Sequence, residues 1–425
     1  MGNTEVSKWL QANRVINVSG TMTALGASIV APEILDDVQQ VCGMFVDMNA
    51  LQARASQQIA KLCGAEGGFV SACAASGISL SIAGCMTGLD LGWADKLPDT
   101  NGLTKTAVVL LKGHSVTYGS QLPQLIRTVG ATPIEVGAAN HAEAHQLRHA
   151  LEGNVAAAVW VVSHHTVQSG LLSFPTFVEL CREKGVPVIV DAASEYDLKI
   201  FLSLGAQIAV YSAHKFLSGL TAGIVAGDLE IVRAGLMHQT MGIGRPMKVG
   251  KEGVVGTISA LERWTKLDHR TLQAEEYRRL SVMRDGISSI PQLLVEEVPD
   301  PTGNPITRLR VSPLLDKTSV TAGQLALMLK ESTPNVIVRD HHVDLGYFEI
   351  DPCNLVAGDE LLVVEAFQKL SIRLSPAIVS VENQLGARYS AYDSDQIPSV
   401  DVAKVPWMLG KSVDRITFFQ KWPEI

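Results

Sequence analysis

The sequence predicts an α/β fold: a mainly parallel sheet between helices, followed by a smaller C-terminal α+β domain. Three observations carry this expectation. From about residue 66 to residue 227 short β-rich runs alternate with helix-like stretches, the pattern of successive βα units. Runs such as Ala107-Val-Val-Leu-Leu111 and Ala156-Ala-Ala-Val-Trp-Val-Val162 are continuously apolar, as strands covered on both faces are. After residue 288 short strand-like and helical segments mix over about ninety residues, as a second, smaller core requires.

Taken in order, Pro32–Val46 and Leu51–Cys63 read as helices joined by Asp47-Met-Asn49. Gly67-Gly-Phe-Val-Ser-Ala-Cys73 passes from a strand through small residues into a helix over Ile78–Thr87. Ala107–Leu111 is a strand, and Thr132–Val136 is another that leads into a helical stretch, His141–Leu151. Phe174–Lys184 carries apolar residues at helical spacing, with Gly185 placed to close it, and Val186–Val190 follows as a strand. Gln207–Tyr211 is the next run, and Ala222–Ala226 is close enough behind it to be an antiparallel neighbour. Gly253–Lys266 is a long amphipathic helix that Glu275–Ile287 extends. The later part offers strands at Leu293–Val298, Thr307–Val311 and Val336–Val338, with helices at Ala322–Glu331 and Asp359–Leu370. The expected division is an N-terminal arm over 1–30, a large domain over 31–265, a small domain over 266–384 and an unassigned segment over 385–425. That last stretch is aromatic-rich and polar, with Trp407, Phe418, Phe419 and Trp422.

Composition narrows the function classes. A hydrophobic fraction of 47% with 36 glycines in 425 residues fits a tightly packed α/β enzyme. Against 43 acidic residues stand 35 basic ones, a net charge of −8 that argues against general affinity for a nucleic-acid backbone. No apolar stretch reaches membrane-spanning length, and Met1-Gly-Asn-Thr-Glu-Val-Ser-Lys-Trp-Leu lacks the basic-then-apolar pattern of a secretory leader. Val6 stands where a myristoylation motif wants Ser or Thr. Six dispersed cysteines without a Cys-x-x-Cys pair read as buried reduced thiols. The expected location is the cytoplasm.

The densest chemistry lies in Val186-Pro-Val-Ile-Val-Asp191 and Tyr211-Ser-Ala-His-Lys215-Phe-Leu-Ser-Gly219. Groups at the carboxyl ends of parallel strands face the ligand crevice, so Asp191 and Lys215 would share one site. That pair suits pyridoxal 5′-phosphate (PLP), in which a lysine carries the cofactor as a Schiff base and a carboxylate keeps the pyridine nitrogen protonated. Taken singly, they would be a surface lysine and a helix N-cap. The small-residue passage Ala74-Ala75-Ser76 at a helix start offers backbone amides to the phosphate, and Ser212 offers a hydroxyl. Small residues also serve close helix–sheet packing. His114 follows a strand end and could stack on the pyridine ring. His164-His165, past Val162, occupy an equivalent position, where His164 could touch the cofactor. His141, His145 and His149 form an i, i+4, i+8 stripe that invites a metal, but no cysteine or carboxylate triad accompanies them, and no metal is expected. Asp340-His-His-Val-Asp344 reads as a solvated turn. Arg245-Pro-Met-Lys248-Val-Gly-Lys251-Glu252 places cations before a helix start, where a bound anion would rationalise them. A salt-bridged surface loop is the plainer account.

Together these motifs resemble the SelA-like branch of the fold-type I PLP-dependent enzymes, which includes selenocysteine synthases and D-glucosaminate-6-phosphate ammonia-lyases. The resemblance runs from about Val15 to Leu261. It covers Ile16-Asn-Val-Ser-Gly20-Thr-Met-Thr23-Ala-Leu-Gly26, residues 71–77, His114, Asp191, Ser212-Ala-His-Lys215 and the basic turn. Met247-Lys-Val-Gly-Lys-Glu252 and Asp191-Ala-Ala-Ser-Glu195 are closer to the ammonia-lyase side. The resemblance implies Lys215 as the cofactor lysine, Asp191 as partner of the pyridine nitrogen and His114 as the stacking residue. It further implies residues 74–76 and Ser212 as the phosphate site, and Arg245 and Lys248 as anion contacts, across a subunit interface of a homodimer or higher homo-oligomer. Two departures bear on the substrate: His214 precedes the lysine where relatives often have glycine, and the segment after 385 has no recognised counterpart.

The function implied is removal of water and ammonia from a 2-amino-3-hydroxy acid such as D-glucosaminate or its 6-phosphate. Racemisation and aldol cleavage begin from the same Lys215 chemistry and stay open. A PLP-binding regulator without turnover is disfavoured by the retained Lys215 and Asp191. A nucleotide-dependent transferase lacks its Gly-x-x-x-x-Gly-Lys-Ser/Thr loop. A small molecule is the expected partner, with no nucleic acid and no membrane.

Overall fold

The computed structural model describes residues 4–374. The segment 385–425, the last ten residues of the expected small domain and Met1-Gly2 therefore lie outside the described residues. The chain divides into two units. The larger comprises Thr21–His269 and Asp300–Pro305, and the smaller comprises Met1–Gly20, Arg270–Pro299 and Ile306 onward. The expected boundaries shift accordingly. The arm expected over 1–30 splits at Gly20, because Val15–Val18 pairs in parallel with Asn335–Val338 of the smaller unit. Asp300–Pro305, inside the expected small domain, counts with the larger unit.

A seven-stranded sheet organises the larger unit. Its order is Gly67–Ser71, Gly223–Gly227, Ile208–Ser212, Val188–Asp191, Val155–Val161, Ala107–Leu111 and Thr132–Val136. Five neighbours from Thr132–Val136 to Ile208–Ser212 are parallel. Gly223–Gly227 runs antiparallel to both its neighbours, as its closeness to the lysine turn suggested. Adjacent residues of one strand point to opposite faces. Val108 and Leu110 pack with Ile78, Leu122 and Val232, whereas Val109 and Leu111 pack with Ile34, Ile59 and Phe177. Both faces are thus dry, which is why the strands are written as continuous apolar runs.

Local chemistry sets the helix limits. Asp47 accepts from Asn49 N and Ala50 N and so starts the helix Met48–Cys63. The preceding helix therefore stops at Cys42 and not Val46. Gly185 follows Phe174–Glu183 with a left-handed φ of 63°, the role expected of it. The stretch His141–Leu151 shortens to Ala144–Ala150 behind a capping box between Glu143 and Gln146. His141 then lies outside the helix in a bridge with Ala138, so the three-histidine stripe is broken. His141 and His145 instead flank the Glu143 carboxylate at 3.0 and 3.2 Å on an exposed surface.

The helix Ala74–Thr87 is buried nearly all round. Its tight fit depends on small residues. A Cβ on Gly77 would lie 2.8 Å from Val225 Cγ2, and one on Gly223 would lie 2.3 Å from the Cys73 carbonyl oxygen. The backbone of one strand thus passes directly against the start of this helix.

The smaller unit packs an antiparallel sheet, Phe348–Ile350, Thr307–Pro313 and Leu293–Pro299, around Ile16, Leu280, Leu325 and Phe367. A buried pair, Arg308 with Asp351 at 2.7 Å, crosses it. All six cysteines are free thiols. Burial pushes Cys63 and Cys181 up to about 12, which makes them inert, but Cys42 is exposed, contrary to the expectation of buried thiols throughout. Among the described residues no helix is long and apolar enough to cross a membrane.

A substitution tests the close approach. Gly223→Ala should destabilise the protein by about 1–3 kcal/mol, the usual result of forcing a methyl group into a filled core. Gly153→Ala, with nothing within 4 Å of the new Cβ, should stay within about 0.5 kcal/mol of wild type. Urea unfolding midpoints of both variants check this; equal midpoints would remove the packing argument.

Candidate active site

The carboxyl ends of the parallel strands bring the reactive residues to one edge of the sheet. Ala74, His114, His164 and Lys215 each stand three residues beyond a strand, after Ser71, Leu111, Val161 and Ser212 respectively, and Asp191 is itself a strand terminus. Such edges are where open α/β sheets bind ligands.

Asp191 is buried, and burial raises its carboxyl above the usual range. The Lys215 cation and a hydrogen bond from Ala193 N at 3.2 Å oppose the rise. Lys215 Nζ donates to Ser194 Oγ. The lysine turn is braced by the segment before the first long helix, where Ser28 Oγ donates to His214 O at 2.7 Å and Ala31 N to Ser218 O at 3.1 Å. His214 is buried, and burial and then the Lys215 charge lower its pKa. A neutral imidazole beside the lysine adds no competing cation.

At the small-residue turn Cys73 is the N-cap. Ser76 N donates to Cys73 Sγ at 3.5 Å, and Ser76 Oγ accepts from Cys73 N at 3.0 Å. Ser76 is therefore engaged in the cap, while the amides of Ala74 and Ala75 belong to the first turn, where no intrahelical acceptor is available. The set fits PLP chemically. It offers a buried carboxylate that a pyridinium would neutralise, an amine on the turn after the adjacent strand and a long helix N-terminus with small residues for a phosphate.

His114 Nδ1 accepts from Val161 N at 3.2 Å, which fixes the neutral tautomer with the proton on Nε2. Burial pushes this imidazole down to about 4. Its ring stands edge-on to Trp160 at 4.3 Å. Both line a cavity of about 290 Å³ together with Ser163, Leu171 and Thr302. The His164 and His165 rings lie 3.8 Å apart, tilted by 44° to one another.

Arg245 and Lys248 are exposed, on and just after the 3₁₀ turn Arg245–Met247. Neither side chain has an ion pair with a described residue, and the following helix Lys251–Lys266 has no side-chain cap. The salt-bridged loop is thus not what the turn forms. Lys251 is different, since its Nζ donates to Met44 O at 2.5 Å and Cys42 O at 3.3 Å, a cation at the end of the helix Pro32–Cys42.

Several polar residues here escaped the sequence reading. Tyr118 is two-fifths exposed, yet burial, then Asp191 and Cys73, raise its phenol pKa. Ser194 holds Lys215, and Glu195 beside it contacts Thr302 at 3.2 Å. Asn304 accepts from Tyr196 N at 2.8 Å. Only the Asp191-to-Glu195 spacing hinted at any of these.

The architecture is that of the fold-type I PLP-dependent enzymes. An aspartate aminotransferase from Thermus thermophilus superposes with a TM-score of 0.52 at 12% identity, covering 86% of this chain and 94% of that one. The solved structure of a D-glucosaminate-6-phosphate ammonia-lyase gives a TM-score of 0.78 at 31% identity, covering 88% of this chain and all of the other. In sequence the chain is 32% identical over 362 residues to D-glucosaminate-6-phosphate ammonia lyase of Salmonella typhimurium, 85% of this chain and 96% of that protein. It is 31% identical over 371 residues to 5′-C-glycyluridine monooxygenase-decarboxylase of a Streptomyces species, 87% and 92% of the two chains. No family model matches. The chain belongs to the SelA-like family, alongside the D-glucosaminate-6-phosphate ammonia lyases.

The buried His114 gives a pH test. Its folded value, about 4, lies below the ordinary 6.5, so the unfolded chain binds the proton first. Stability is then present above the unfolded value and falls as pH drops toward the folded one. Between pH 7 and pH 5 the loss due to His114 is roughly 2 kcal/mol. His114→Gln should lose that much less stability than wild type over this interval in paired urea titrations. An identical loss in both proteins would show that His114 titrates normally.

Proposed function

We propose that the chain is a PLP-dependent lyase that removes water and ammonia from a 2-amino-3-hydroxy acid to give a 2-oxo acid. The substrate is an amino-sugar acid of the D-glucosaminate type, free or as its 6-phosphate. The observation that carries this reading is the buried Asp191 carboxylate in the field of Lys215 at adjoining strand ends, in a chain related over most of its length to an ammonia lyase.

PLP bound at this edge supplies a sink for the electron pair left when the α-proton is removed. Lys215 would hold the cofactor and, with its amine free, would take the α-proton on Nζ. Asp191 keeps the pyridine nitrogen protonated, because an anion in a dry site favours a cation beside it. Neutral His114 would face the cofactor ring without adding charge. The amides of Ala74 and Ala75 and the Ser212 hydroxyl would hold the phosphate, with Ser76 kept in the cap of that turn, and His164 would meet the cofactor edge. Arg245 and Lys248 meet the substrate's anionic end, across a homo-oligomer interface, as their exposure without ion-pair partners allows. The protein acts in the cytoplasm on a small molecule. Racemisation or aldol cleavage would use the same proton abstraction and part only at the second bond.

A second reading follows from the glycyluridine relative, which is as similar as the lyase: oxidative loss of a carboxylate, consuming O₂ and releasing CO₂. One panel separates the two. Ammonia and 2-oxo acid should form from amino-sugar acids without O₂ uptake; O₂ consumption with CO₂ release would establish the second reading instead. In the same preparation borohydride should fix PLP to the peptide containing Lys215, and label on another lysine would remove that residue from its role.

The basic turn has its own test. Lys248→Ala should raise KM for a phosphorylated substrate about 10-fold or more, since a charge-assisted hydrogen bond contributes on the order of 1.5–3 kcal/mol. KM for the unphosphorylated acid should change less, with PLP still bound. Equal changes for both substrates would move Lys248 out of the site.

A further inference from the structure

The loop between the strand Val155–Val161 and the helix Phe174–Glu183 closes a cavity of about 290 Å³ against His114. Its walls are held from behind. Val167 N donates to Gly113 O at 3.2 Å, and Ala142 N donates to Gly170 O at 3.1 Å. A Cβ on Gly113 would lie 2.6 Å from Leu171 Cδ1, so the loop lies directly on the turn that carries His114. Trp160 is fixed by Phe174 and Phe177, at 5.3 and 5.2 Å between ring centres. A molecule entering here meets a surface already formed.

The polar groups of this lining include both donors and acceptors. His114 Nδ1 is taken by the Val161 amide, so Nε2 carries the proton. That N–H has no acceptor among the described residues, yet it is not sealed from open space as His214 Nδ1 is. His114 is only 3% exposed, and a donor this deep is completed by an oxygen from outside the protein. Gln168 Nε2 donates to Ser163 O at 3.0 Å and to Thr166 O at 2.7 Å. Carbonyls can only accept, which fixes the amide and leaves Gln168 Oε1 an acceptor without a donor among the described residues. Ser163 Oγ accepts from His165 N at 3.1 Å and keeps its own proton to give.

No lysine, arginine, aspartate or glutamate stands among the described residues of the lining. A carboxylate or phosphate would lose its water here and meet no cation. Trp160, Leu171 and Leu172 supply apolar faces instead. A chain of carbon-bound hydroxyls suits such a surface. Each hydroxyl both donates and accepts, and the C–H groups between them pack on apolar side chains.

We propose that this cavity is the subsite for the polyhydroxylated tail of the substrate, with His114 Nε2–H and Gln168 Oε1 as its polar anchors. This rests on the lyase reading above and deepens it. His114, set against the cofactor ring on that reading, would be the common wall of the cofactor site and the tail subsite. A six-carbon amino-sugar acid carries such a tail beyond Cβ, and a three-carbon 2-amino-3-hydroxy acid does not. A terminal phosphate finds no partner in this lining and stays outside it, so the subsite serves the free acid and its phosphate ester alike.

Calorimetric titration of the cofactor-loaded protein with D-gluconate tests the subsite, because gluconate carries the chain of hydroxyls but no amine to react. D-Glycerate, with the same carboxylate and no tail, should bind about 10-fold or more weakly. Gln168→Leu and His114→Phe, with cofactor content measured in each, should weaken gluconate binding about 10-fold, the usual loss when a buried hydrogen bond loses one partner. The ratio of gluconate to glycerate affinity should fall with it. Leu171→Phe narrows the cavity without touching a polar group and should lower that ratio too, which carries the test should a polar variant fail to fold. Equal affinities for gluconate and glycerate, or an unchanged ratio in the folded variants, overturn the subsite even if ammonia is released from an amino-sugar acid. Gluconate bound as expected by a protein that releases ammonia from no panel member would overturn the lyase reading instead and leave the cavity a polyol site.

Discussion

A carboxylate at the end of a strand buried on both faces has lost its water, and the cost of that loss organises the larger unit. Desolvating an ion costs several kcal/mol even after relaxation. Asp191 recovers part of it from one amide and from the Lys215 charge, yet its carboxyl stays raised. The Lys215 term requires the next strand to end in register with it, and Asp191 is paired with Val210, two residues before Ser212. The register in turn requires strands dry on both sides, hence helices above and below and a sequence of unbroken apolar runs. It also requires the helix after Ser71 to approach closely, which small residues at Gly77 and Gly223 permit. A cationic ring at this edge would supply the charge that Asp191 still lacks.

Much of this was legible in the chain because it is written locally. A continuous apolar run has few structural solutions, and the residue three places past its end has only one side of the sheet to face. Lys215, Asp191 and His114 could therefore be brought to one edge from spacing alone. Gly185 could be read because a left-handed φ favours glycine. Where the reading slipped, a short-range polar contact had overridden periodicity. Asp47 captures two amides and moves a helix start, and Glu143 with Gln146 moves another, which removes His141 from the face it was expected to share.

The Thr302–Asn304 loop was not legible at all. Nothing in Pro299-Asp-Pro-Thr-Gly-Asn-Pro305 distinguishes it from an ordinary turn of its composition. Its meaning arises from tertiary pairing across more than a hundred residues, between Asn304 and the Ser194–Tyr196 segment. Such contacts have no period and no motif. The same holds for Tyr118, whose place beside Asp191 depends on how the loop after His114 turns. Domain boundaries drawn along the sequence fail here for the same reason, since a single hairpin loop can serve one core while its strands serve another.

Two relatives of nearly equal similarity carry names for different reactions, an ammonia lyase and a monooxygenase-decarboxylase, so overall likeness cannot by itself choose between them. What distinguishes the chemistries is the traffic of protons. Eliminating a hydroxyl needs a base at the α-carbon and, in the same pocket, an acid for a poor leaving group. A histidine kept neutral by burial cannot be that acid near pH 7, and His114 is one, its Nδ1 occupied by a backbone amide. His214, lowered by burial and by the lysine, is another. Lys215 is committed to the α-proton on the proposed reading. Both chemistries begin from the buried Asp191 beside Lys215 at adjoining strand ends, so the lyase reading rests on that pair together with the relation to an ammonia lyase over most of the chain.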